Sequence, residues 1–174
     1  KHTQMVALAR ERGADYFIIS AVDHFYKLDE VEKVREKAQE YDCTFSVVDT
    51  YYKDPTWQLT PKEAFVMPFI CKMYPETKVT RVANYPVFVD PAVKINTYKN
   101  WHLFDESEIT VHNYSMIRSE IREKYINRYI PLKWGASKIE RLIKEYENYD
   151  IDLNPGIEHY HGKKIKIVPN YFNL

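Results

Sequence analysis

No stretch of this chain approaches 18 consecutive apolar residues, so the sequence holds no candidate transmembrane helix. Its opening, KHTQMVALARERG, puts charges where a secretory signal needs an uninterrupted apolar run. Net charge is lacking too, because 25 Lys and Arg balance 25 Asp and Glu. That balance excludes a global basic field of the kind that holds nucleic acid or an anionic membrane without specificity, and leaves only a local patch. The two cysteines, Cys43 and Cys71, lie far apart and have no metal-ligand spacing around them. They read as buried free thiols of a reducing compartment, and the expected location is cytoplasmic. Internal repeats and low-complexity segments are also absent.

What is present is a length of 174 residues, enough for one sizeable core, and 15 tyrosines against 4 glycines. Tyrosine brings apolar area with a hydrogen-bonding tip, which suits both a core and a polar-ligand cleft. Thr3 is placed to cap a helix through about Arg12, with Met5, Leu8 and Ala9 inward and Gly13 ending it. DYFIIS reads as a buried strand. Asp29 is placed to cap an amphipathic helix in which Val31, Val34, Ala38 and Tyr41 recur at helical spacing, and CTFSVVDTYY follows as a strand. Alternation of helix and strand predicts an α/β layer. In the middle, KDPTWQLTPKE reads as loop, AFVMPFICKM and KVTRV as strands, with prolines at 55, 61, 68, 75, 86 and 91 as punctuation. EITVHNYS reads as a strand, with a helix from about Ser115 carrying Ile117, Ile121 and Tyr125. ASKIERLIKEYENY reads as a further helix, and Ile165 and Ile167 mark a last strand. An α/β sheet seldom opens on a helix with no strand before it, so the chain is expected to be the later part of a longer protein.

Two stretches carry candidate chemistry. Asp23 follows DYFIIS, and in an open α/β sheet ligands gather at the carboxyl ends of strands. A carboxylate there can hold Mg²⁺ or Mn²⁺, hard ions that bridge diphosphate oxygens. Read alone, an aspartate between strand and helix is more often a cap or turn former. In TVHNYSMIRSEIREKYINR, residues 110 to 128, His112 closes a strand, and neutral imidazole is an acceptable Mn²⁺ ligand. Arg118, Arg122, Lys124 and Arg128 crowd the helix that follows. Cations there suit a bound polyphosphate, and equally a solvated face.

Taken together, RERGADYFIISAVDHFY and VHNYSMIRSEIREKYINR resemble segments of GT-A type glycosyltransferases, closest to the bacterial or viral family 2-like and family 17-like groups. In the first segment of that family a helix and strand lead into a metal-binding aspartate motif; in the second a histidine after a strand precedes a basic helix. The resemblance covers roughly residues 3 to 50 and 108 to 128. It implies a Rossmann-like GT-A sheet, mixed, with flanking helices and without the N-terminal nucleotide-binding strands. Residues 1–130 would be the C-terminal part of the catalytic domain, and 131–174 a helix-and-strand extension. It implies Asp23 and His112 as metal ligands, and Arg118, Lys124 and Tyr114 on the side of the donor phosphates. The family pattern departs at Ala21, where an aspartate is expected, and at His24, where a glutamate is common. Alanine coordinates nothing, which leaves fewer protein ligands, a lost metal or an engineered change.

The implied reaction moves a sugar from a nucleotide-diphosphate donor to an acceptor hydroxyl with Mn²⁺ or Mg²⁺ helping to stabilise the leaving diphosphate. The acceptor, whether glycan, protein or modified nucleic acid, is not identified. Inversion would need a carboxylate base; Glu63, in QLTPKEAF, is the first candidate, with Asp49, Asp105 and Glu106 beside it. Trp57 and Trp101 suit either sugar stacking or the core. His159 and His161 lack a carboxylate or cysteine to complete a metal set. Two other readings stand: a catalytically impaired module that binds nucleotide-sugar or glycan, and a nucleic-acid-interacting protein resting on the basic helix.

Overall fold

The computed structural model describes residues 2–80, 94–131 and 133–174. In chain order the elements are α1 (His2–Glu11), β1 (Tyr16–Ile18), β2 (His24–Phe25), α2 (Leu28–Ala38), β3 (Cys43–Tyr52), β4 (Trp57–Thr60), β5 (Met67–Lys72), β6 (Val79–Thr80), β7 (Lys94–Ile95), β8 (Trp101–Leu103), β9 (Thr110–Met116), α3 (Ile121–Tyr129), α4 (Ala136–Asn148) and β10 (Lys164–Ile167). The protein is α/β with a mixed sheet and flanking helices. The chain divides into two compact units, one of Lys1–Asp49 with Glu63–His112 and one of Thr50–Lys62 with Asn113–Leu174. Residue 130 falls inside the second unit, between α3 and α4, whose apolar faces share one core. Among the described residues no helix is long and apolar enough to cross a membrane.

In the first unit, β1 pairs antiparallel with β5, β5 antiparallel with β3, and β3 parallel with β8. The chain passes from β1 through α2 to β3, so two parallel strands flank the antiparallel β5. β3 is buried along nearly its whole length, its polar Thr44, Ser46, Asp49 and Thr50 included. The α1 helix ends at Gly13, which takes the left-handed backbone (φ 71°). Ala14 N–H donates to Ala9 C=O and Gly13 N–H to Arg10 C=O, the paired bonds that satisfy a helix C-terminus. Its inward residue is Val6; Met5 and Leu8 are exposed, contrary to the expected inner face, because so short a helix presents one narrow stripe. Asp29 does not cap α2. Lys27 is the N-cap residue, and Asp29 and Glu30 sit in the first turn, where the helix N-terminus favours negative charge. Val34 and Ala38 then pack with Phe69, Ile70, Phe104 and Ile109.

In the second unit, β4 pairs antiparallel with both β3 and β10. KDPTWQLTPKE is therefore not all loop: Trp57–Thr60 is a strand whose partner, Lys164–Ile167, comes a hundred residues later, out of reach of any local pattern. The helix expected from about Ser115 begins instead at Ile121, since β9 continues to Met116. The Met116 carbonyl accepts from Lys53 N–H (3.2 Å) and Tyr146 O–H (2.8 Å), which holds that backbone extended. Tyrosine does core work here, with Tyr52, Tyr125, Tyr129, Tyr146 and Tyr149 buried among Leu142, Ile143 and Ile157. Ile165 joins them, while Ile167 is exposed at the strand end. In the first unit β6 pairs with β7; Arg81 and Val82 of the expected strand KVTRV lie outside the described residues.

Candidate functional site

Asp23 occupies the third position of the turn Ala21–His24, closed by His24 N–H donating to Ala21 C=O (3.1 Å). That is the turn-forming role an aspartate fills well. The His24 ring reinforces it, because Nδ1 accepts from Ala21 N–H (3.4 Å). Nε2 then faces Asp23 Oδ1 at 4.0 Å. The chain runs straight on into β2, which pairs with β9, and β9 in turn pairs with β3. His112 lies on β9 and Asp49 on β3, both buried. Three of the predicted site residues thus belong to strands, or to a turn leading into a strand, that are bonded to one another. Glu63 is half-buried in the link between β4 and β5.

Asp23 supplies a carboxylate and His112 an imidazole, position 21 supplies nothing, and neither Asp23 nor His112 is an unpartnered group. Among the described residues no three His, Cys, Asp or Glu side chains gather in a metal-binding group. Two protein donors do not make an all-protein cage. A Mg²⁺ or Mn²⁺ ion held by two such donors would need its remaining oxygens from phosphate and water.

Asp105, Glu106 and Glu108 line a surface concavity of about 350 Å³ with Val47, Leu103 and Phe104. Two of these acids are tied locally. Asp105 accepts from the Ser107 N–H and hydroxyl, and Glu108 accepts from Lys37 Nζ (2.8 Å) and Asp105 N–H (2.9 Å). The Lys37 ammonium, and then that backbone N–H, hold the Glu108 carboxyl below its ordinary range, a poor setting for a general base.

The second unit holds Tyr114, Arg118 and Lys124. Tyr114 is buried, stacked on Tyr51 at 4.3 Å between ring centres. The Lys124 ammonium donates to the Ser115 carbonyl. Arg122 forks onto Glu140 (2.8 and 3.1 Å), and Arg128 lies over the Tyr129 ring. The basic run of the sequence is therefore largely engaged inside its own unit, with Arg118 exposed before α3. Trp57 packs by Tyr149, whereas Trp101, in the first unit, is about half exposed with its ring edge-on to Phe45. His159 is enclosed by Tyr125, Tyr129 and Tyr160, its Nε2 3.1 Å from the Tyr129 hydroxyl. Burial first, then the cations Arg128 and Lys124, push it down to about 3, so it is neutral at pH 7.

Asp42 has no motif around it in the sequence. Its carboxylate accepts from Tyr74 O–H (2.5 Å) and from the N–H groups of Lys99 and Asn100 (3.0 Å each). No family model, curated protein or solved structure matches the chain, so the reading of the site rests on its own residues.

Proposed function

We propose that this chain is a catalytic region of a GT-A type glycosyltransferase, with a Rossmann-like sheet, that moves a sugar from a nucleotide-diphosphate donor to an acceptor hydroxyl. The observation that carries the reading is the pairing of β2 with β9, which sets the turn of Asp23 beside the strand of His112. These are the two residues that the aspartate-motif segment and the histidine segment offer as ligands. A divalent cation accompanying the donor would neutralise charge on the diphosphate as it leaves. Asp23 and His112 would orient that diphosphate through the cation. Asp49 or Glu63 would take the proton from the acceptor hydroxyl, the carboxylate's part in an inverting transfer.

Ala21 favours a second reading, a module that binds nucleotide-sugar or glycan without turnover, since the position that should complete the ligand set has no donor atom. One titration distinguishes the readings. UDP and GDP are titrated calorimetrically into the chain and into Ala21→Asp, each with and without Mn²⁺, followed by assay of donor hydrolysis and transfer. Binding that requires Mn²⁺ and tightens at least about tenfold with the added carboxylate is expected. Turnover gained only by Ala21→Asp selects the impaired module. No nucleotide binding by either form overturns the transferase and the nucleotide-sugar module and leaves Asp23 as a turn former.

A further inference from the structure

Cys43 opens β3, Cys71 lies on β5, and the two are direct partners in the antiparallel register of those strands. One residue outward, Lys72 N–H donates to Asp42 C=O (2.7 Å). A ladder bond in that position makes Cys43 and Cys71 a non-hydrogen-bonded pair. On the other flank a side chain takes over the ladder: Thr44 Oγ1 accepts from Ile70 N–H (3.2 Å) and donates to Ile70 C=O (3.1 Å). Non-hydrogen-bonded partners have the closer Cα atoms of the two kinds of cross-strand pair, about 4.5 Å, within the span a disulfide bridges. The two sulfurs already lie 2.8 Å apart, both thiols free and buried.

Neighbouring strands hold the pair in place. Phe17 of β1 is the partner of Cys71 on one side, and Trp101 of β8 is the partner of Cys43 on the other. Phe45, Val48, Met67 and Val111 pack around them in one apolar cluster.

We propose that Cys43 and Cys71 form a dithiol–disulfide couple, oxidised within one chain to a disulfide that staples β3 to β5. The oxidant is a low-molecular-weight disulfide. One cysteine thiolate attacks a sulfur of the oxidant and releases the first oxidant thiol. The other thiolate attacks the protein sulfur of that mixed disulfide and releases the second. Two electrons and two protons pass from the cysteines to the oxidant, and one S–S bond is exchanged for another. Burial raises the Cys71 thiol above its ordinary value and shields both sulfurs, so exchange runs as the sheet assembles or when its edge opens. Once formed, the bond is shielded in the same way from reductant.

The test uses the chain as it is. It is refolded from denaturant in oxidised dithiothreitol, quenched with acid, unfolded and alkylated with iodoacetamide, and its intact mass measured. The expected product is a monomer two hydrogens lighter that takes up no alkyl group, with Cys43 and Cys71 joined in one peptide pair. A parallel sample kept in denaturant should need at least about tenfold more oxidant to reach the same extent, because there the fold does not align the thiols. A refolded monomer that alkylates twice overturns the proposal. So does linkage only between chains, or equal oxidation with and without denaturant.

Discussion

Asp42 is one carboxylate that three donors from two distant segments of the first unit converge upon. The Tyr74 hydroxyl, first, and then the backbone N–H groups of Asn100 and Lys99 hold its carboxyl down to about 2. Each bond favours the charged form, so stability from this group is fully present above the unfolded value, near 4, and is lost as pH falls through about 2. Asp42→Asn keeps the shape but gives up charge-assisted acceptance, and a cost of about 1 kcal/mol is expected, below the usual range for bonds to charged groups because the site is partly solvated. Urea denaturation at pH 7 should show that loss. Repeated at pH 3, the gap between the two proteins should narrow; a constant gap would contradict the assignment. Nothing in the sequence around Asp42 distinguished it from a solvated loop acid, since Tyr74, Lys99 and Asn100 reach it only through the fold.

Among the elements, α4 was the most legible. Its apolar residues recur at three and four positions, and the structure buries Ile139, Leu142, Ile143 and Tyr146 along one face. Leu142 is fully buried in the core with Tyr125 and Ile157. Leu142→Ala is expected to cost about 2–5 kcal/mol, the range for a core leucine deletion, as a lower melting temperature with native spectra retained. The exposed fork from Arg122 to Glu140 is a solvent-screened surface pair and adds little by comparison. Strand β3 was equally legible and begins and ends where CTFSVVDTYY does. Short strands were not: β2 and β4 have two and four residues, too few for a period to show, and exist through their partners. The start of α3 was misjudged for a related reason, because Ile117 fits helical spacing while its neighbours are bonded as a strand end.

At the scale of the whole molecule, balanced charge sets an expectation that the basic helix alone would reverse. With 25 cations against 25 anions, and with Arg122, Lys124 and Arg128 engaged within their own unit, the chain should be retained only weakly on immobilised nucleic acid, and its elution should not depend on salt. Strong retention that falls steeply with salt would instead support the nucleic-acid reading. Of the candidate site, the residue types were readable, since aspartate after a strand and histidine on a strand are local patterns. Which strands pair beside them was not. The sequence by itself determined the α/β class, the long helices and β3, because period, charge placement and glycine at a helix end act over a few residues. Only the tertiary structure decided that β2 lies along β9, that β4 is completed by β10, and that Cys43 faces Cys71. Those pairings join segments far apart in the chain, and their register is set by packing and backbone hydrogen bonds summed over a whole unit, which no local pattern encodes.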